Sequence, residues 1–354
     1  MSFDILKREI KEGFTRGLYL FYGPEEYLKQ YYAAEVERLV VDPIAKDISL
    51  SVFEEKPDLR SLNDACSAYP LYGSKRLIVI KNSGLLKQGA GSGRRKGGKT
   101  QPAKGLQDDN SQQPDKGLSL RGIINDLPDF TCLLILEQEV DKKLAIYNDI
   151  TKKGLAVEFT YRSASELEDW VRAIAGRDGI AFARDALKQF IDNTGESMMD
   201  IRSELDKLLM YAAGKRGITA GDLAAVCVFP LKARIFDLLD NLIAGKKKQA
   251  VAELALLLRD REPAMRILST LSNHLILLRQ IKNLAVNGVK LPEATRLLGL
   301  NPYRVEKLWR QSFKIAPRAI EKAIEKCHQQ DLAIKNGHIN DIQALQMLLL
   351  TINI

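Results

Sequence analysis

Five short apolar runs separated by amphipathic stretches occupy roughly the first 160 residues, and that alternation admits few folds. The runs are Leu18 to Tyr22, Ile48 to Phe53, Arg76 to Ile80, Thr131 to Leu136 and Ala156 to Phe159. Between them, helical spacing extends over Glu25 to Val40, Asp58 to Ala68, Leu118 to Asp126 and Lys142 to Lys153. Strands that alternate with helices pair side by side in the same direction, because each helix carries the chain back across the sheet. The expectation is an α/β domain built on a parallel sheet with both faces covered.

The first run ends at Gly23, where nucleotide-binding folds turn from strand to helix, but Pro24, Glu25, Glu26, Tyr27 and Leu28 follow. A working phosphate loop needs glycines that turn several amides inward, a lysine for the β- and γ-phosphates, and a Ser or Thr for magnesium. Two carboxylates at this turn would repel a triphosphate and suit the positive end of the helix instead. The turn therefore reads as a nucleotide fold with its chemistry removed.

A second stretch, Gly93 to Thr100 with Lys99, fits the phosphate-loop pattern letter for letter. No apolar strand precedes it, and Pro102, Gly105, Asp108 and Asp109 follow where a helix should begin. It reads as a solvated linker, the alternative being an active ATPase that uses this loop. In that alternative Glu137, after the run Leu133 to Leu136, would be the acid on the magnesium side; without a phosphate loop it has no magnesium to hold.

The formal charge of +8 is unevenly spread. Residues 84–118 carry seven Lys or Arg against three Asp or Glu, and eight of the 24 glycines. They offer too little apolar surface to offset the entropy of ordering, which predicts a disordered insertion. A basic DNA-binding module is the other reading of this segment, since such an excess permits contact with phosphates.

Four scattered cysteines and three histidines provide no zinc spacing, so buried thiols are expected, and His274 sits in an apolar helix where packing is its expected role. No apolar run reaches the length of a membrane span, and the start MSFDILKREI has no signal-peptide apolar region. The expected compartment is the cytoplasm, with no membrane contact.

After Tyr161 the strand signals fade. Ser163 and Glu166 form a capping box, and apolar spacings of three and four continue from Leu167 through Ala212 and, beyond Pro230, to Ile352. The expected order is an α/β domain at 1–161, a small helical bundle at 162–228 and a larger helical domain at 229–354. In the first domain Leu59, Leu62, Cys66 and Tyr69 share a helical face, Pro70 should stop that helix and Gly73 permits a tight turn, leaving Leu71 and Tyr72 near its tip.

On LYLFYGPEEYL at 18–28, SAYPLYGSKRLIVIK at 67–81, GESMMDIRSELDKLLMYA at 195–212 and PLKARIFDLLDNLIAGKKKQA at 230–250, taken in this order, the chain resembles the delta subunit family of the bacterial DNA polymerase III clamp loader, within the AAA+ superfamily. The insertion at 84–118 departs from the family pattern. The resemblance implies an AAA+-like α/β domain, a helical lid and a helical collar. It implies no catalytic site of its own, no ATP turnover, and no cofactor or metal, in a subunit of a nucleotidyltransferase holoenzyme.

The implied task is to open the sliding clamp (the beta subunit) for loading onto primed DNA, together with gamma/tau and delta prime subunits, in a nucleoid-associated bacterial setting. Leu71 and Tyr72, flanked by Tyr69 and Pro70, correspond to the family's clamp-binding wedge. Lys75 and Arg76 beside it are either candidates for pairing with acidic clamp residues or solvated surface charges. The closing stripe Ile342, Leu345, Leu349 and Ile352 is either a subunit-assembly surface or an internal core stripe.

Overall fold

The computed structural model describes residues 2–87, 118–194, 197–352 and 354. They divide into two compact units, Met1–Thr160 and Tyr161–Ile354. In the first, α1 (Ser2–Glu12) precedes β1 (Leu18–Tyr22), α2 (Glu26–Val40), α3 (Lys46–Ser49), β2 (Leu50–Glu54), α4 (Leu59–Ser67), β3 (Arg76–Lys81), α5 (Leu120–Asn125), β4 (Thr131–Glu137), α6 (Ala145–Lys153) and β5 (Leu155–Glu158). The five strands form one parallel sheet in the order β2-β3-β4-β1-β5.

Burial explains why the central strands read as continuous apolar runs. Every residue of LYLFY in β1 is buried, as are all but one in β4, because helices cover both faces. The edge strand β2 is only half-buried, so its sequence alternates more. Helix α1 was not foreseen from the sequence. Its Phe3 ring meets Phe159 and Tyr32 edge-on at 5.6 and 5.3 Å, and its Leu6 is buried.

Residues 84–87 do not share the disorder that the sequence suggests. Residues 84–87 are folded, with Leu86 fully buried and its carbonyl accepting the Asp141 amide at 2.7 Å. The phosphate-loop match at Gly93 to Thr100 lies outside the described residues, as does most of the basic stretch.

The second unit comprises α7 (Ala164–Arg177), β6 (Ala181–Phe182), α8 (Arg184–Thr194), α9 (Met198–Tyr211), β7 (Gly217–Ile218), α10 (Ala220–Val226), α11 (Leu231–Ile243), α12 (Lys247–Arg259), α13 (Ala264–Val286), α14 (Leu291–Leu298), α15 (Pro302–Phe313), α16 (Pro317–Lys335) and α17 (Asp341–Thr351). The capping box forms as its spacing requires: the Ser163 amide donates to the Glu166 carboxylate at 2.8 Å. The two-residue strands β6 and β7 pair in parallel and are too short to carry a period in sequence.

Helix α13 is the spine of the C-terminal helices. Its Leu268, Leu271 and Leu275 share a core with Leu238, Leu239, Cys327, Leu345, Leu349 and Ile352. The closing stripe is thereby assigned to the interior, except for Ile342, and the exposed apolar side chains of α17 are Ile342, Met347 and Leu350.

Candidate functional site

At the carboxyl end of β1 the amides that a phosphate loop would present are taken by the protein itself. The Gly23 amide donates to the Gln138 carbonyl at 3.1 Å, and the Glu25 amide to the Phe159 carbonyl at 3.1 Å. Gly23 is required here by close approach: its φ is +117°, and a Cβ would lie 2.3 Å from the Phe159 carbonyl oxygen. The glycine serves backbone packing against the segment after β5.

The space beside this turn is filled by a lysine and an acid. Lys29, on the first turns of α2, is buried; its ammonium donates to the Glu137 main-chain carbonyl at 3.2 Å and pairs with Glu26 at 2.8 Å. Glu26 thus complements both the helix start and this ammonium. The buried Glu137 carboxylate accepts the Ser83 hydroxyl at 2.5 Å and the Gly84 amide at 3.1 Å. The acid that the ATPase alternative would set beside magnesium is engaged by the chain that leaves β3.

The opposite end of the sheet presents a different surface. Asp58 caps α4 by accepting the Ser61 amide at 3.0 Å, Leu62 and Cys66 anchor it in the core, and the Thr131 hydroxyl donates to the Cys66 carbonyl at 2.7 Å. Burial pushes the Cys66 thiol up to about 11, leaving it protonated and inert at neutral pH. The helix stops before Pro70, and a loop of residues 68–75 leads to β3.

In this loop the structure separates the four predicted residues by role. Pro70 is buried and fixes the base. Leu71 is 83% exposed and Tyr72 51% exposed, at the tip, and Gly73 turns the chain with φ +72°. Tyr69 is 74% exposed, yet one edge of its ring rests on Phe130 with centroids 5.0 Å apart. Leu71 and Tyr72 are thus large side chains exposed on a folded base.

Lys75 and Arg76 are half-buried and engaged within the first unit. The Lys75 ammonium donates to the Thr15 carbonyl at 3.2 Å, and the Arg76 guanidinium reaches the Ser51 hydroxyl at 3.3 Å. The first contact ties the loop to Thr15 in the segment after α1.

Comparison with known proteins shows the family of the chain. The family model "DNA polymerase III, delta subunit" matches residues 19–160, and "DNA polymerase III delta subunit, C-terminal domain" matches residues 232–352. The DNA polymerase III subunit delta of Bacillus subtilis (strain 168) is 24% identical over 355 residues, covering 99% of this chain and 96% of that protein. A probable DNA polymerase III subunit delta from Aquifex aeolicus (strain VF5) is 26% identical over 123 residues, 34% of this chain and 35% of that one. The solved structure of the Bacillus subtilis DNA clamp loader delta protein has the same fold, with a TM-score of 0.75, 22% identity and 99% coverage of both chains. With its two halves matched in order by the family's two models, the chain belongs to the DNA polymerase III delta subunit family.

Proposed function

We propose that this subunit opens a ring-shaped sliding clamp by docking Leu71 and Tyr72 in an apolar pocket on the ring, and that it turns over no ATP. The observation that carries the reading is the loop at 68–75, which holds two large apolar side chains in water on a base fixed by Pro70 and α4. Burying such a pair contributes roughly 2 to 4 kcal/mol. A ring interface opens when the wedge binds the open form more tightly than the closed one, because only that difference shifts the equilibrium.

The lack of ATP turnover is supported by the occupied amides at Gly23 and Glu25 and by the commitment of Lys29 and Glu137 to other partners. In this reading the chain assembles with the gamma/tau and delta prime subunits, ATP binding in partner subunits exposes or hides the wedge, and primed DNA is the target of the assembled loader. The helices after residue 229 serve as the collar, with the exposed Ile342, Met347 and Leu350 face of α17 offered for assembly. The test is capture of the purified sliding clamp by wild type and by Leu71→Ala/Tyr72→Ala. Loss of capture with unchanged helical content supports the wedge, and equal capture refutes it.

A further inference from the structure

The loop between α4 and β3 keeps its shape with little help from its own backbone. Among the described residues, no main-chain hydrogen bond joins residues 69–75 to one another or to the rest of the main chain. A segment without such bonds is ordinarily free to rearrange. Leu71 and Tyr72 would bury apolar surface by folding back on the buried Pro70 and the half-buried Phe130. Both nevertheless stand in water.

Side chains at the two ends of the loop oppose that collapse. On the α4 side the Tyr69 ring rests against Phe130, whose carbonyl accepts the Arg76 amide at 2.8 Å. On the β3 side the Lys75 ammonium donates to the Thr15 carbonyl at 3.2 Å and to the Thr15 hydroxyl at 3.3 Å. Two charge-assisted bonds to one residue fix the direction of the lysine as well as its reach. Thr15 is itself a firm post. The guanidinium of Arg16 beside it donates to the buried Glu9 at 3.0 Å, and the Arg16 amide donates to the Tyr19 hydroxyl at 2.9 Å. One residue further on, the Gly17 carbonyl accepts the Leu133 amide at 2.8 Å, which joins this segment to β4.

We infer that Lys75 is a positioning residue for the wedge: its tether to Thr15 holds the loop in the shape that keeps Leu71 and Tyr72 outward. The consequence at the clamp rests on the wedge reading above, whereas the tether itself does not. Without the tether the outward shape is one among several, and apparent affinity falls with the fraction of molecules that hold it. Lys75 thus acts through the loop, and pairing with an acidic group on the clamp is the competing role.

The free chain decides the tether. In a fluorotyrosine-labelled sample the eleven tyrosines give the signals, and the one lost in Tyr72→Phe is that of Tyr72. Lys75→Met keeps the stem and removes the ammonium. It should shift or broaden the Tyr72 signal and shield it from a water-soluble paramagnetic agent, whereas Lys75→Arg, which can still donate to both Thr15 oxygens, should leave it near wild type.

Capture of the purified sliding clamp then tests the consequence. Lys75→Met should raise the Kd by roughly three- to tenfold, equally at low and high salt, and Lys75→Arg should restore most of the loss. A Tyr72 signal unmoved by Lys75→Met overturns the tether, whatever the affinity does. A moved signal with unchanged affinity, or an affinity loss that vanishes at high salt, overturns the positioning role. Equal capture by wild type and Leu71→Ala/Tyr72→Ala would instead refute the wedge reading, and the Tyr72 signal would still decide the tether. Circular dichroism checks the fold; if Lys75→Met unfolds, Thr15→Val removes one of the two acceptors and should give a smaller change of the same sign, no change overturning the inference.

Discussion

The ammonium of Lys29 lies 3.2 Å from the main-chain carbonyl of Glu137, across the point where a nucleotide fold would hold its phosphates. A buried lysine on α2 and an acid at the end of β4 have become parts of one packing unit. Truncating Lys29 leaves that carbonyl without its donor and opens a void. Lys29→Ala should lower stability by about 2 to 3 kcal/mol, read from urea unfolding. Lys29→Met keeps the stem and should cost less, so equal losses in the two variants would contradict the packing part of the argument.

Glu137 ties down the chain leaving β3 through Ser83 and Gly84. Glu137→Gln keeps one acceptor oxygen and removes the charge, for an expected loss of about 1 to 2 kcal/mol. Calorimetric titration with Mg-ATP should give no saturable heat with either wild type or variant. Binding by wild type that the substitution abolishes would restore the acid to a metal site.

Gly73 has φ +72°, and nothing lies within 4 Å of where a Cβ would stand. The penalty of Gly73→Ala is therefore conformational, about 1 kcal/mol. The melting temperature should fall only slightly, whereas clamp affinity should fall several-fold as the loop relaxes and re-aims Leu71 and Tyr72. Unchanged affinity would show that the loop's shape is not what presents the pair.

Burial lowers the His274 value from its ordinary 6.5 to about 4. The folded state resists protonation that the unfolded chain accepts, so stability is full above pH 6.5 and falls as the pH drops from there to about 4. The size of this contribution is roughly 3 kcal/mol. His274→Gln should flatten that part of the stability profile relative to wild type in urea titrations from pH 7 down to about 4. Parallel profiles would contradict the assignment.

Much of this architecture was legible because burial writes itself into composition. Strands buried on both faces must be apolar throughout, so β1, β3 and β4 stood out, and Pro70 with Gly73 marked the loop at the helix end. The contacts of Lys75 and Arg76 were not legible, since their Thr15 and Ser51 partners lie on segments distant in sequence. Helix α14 escaped notice because its eight residues span barely two turns.

The account turns on Leu71 and Tyr72 as the anchors of clamp recognition, and the most direct measurement is the Kd of the immobilised sliding clamp for the full chain and for Leu71→Ala/Tyr72→Ala. An interface losing about 2 to 4 kcal/mol weakens roughly 30- to 1,000-fold, and that is the predicted result, with the circular dichroism spectrum unchanged. A double variant that binds the clamp as tightly as wild type would contradict it.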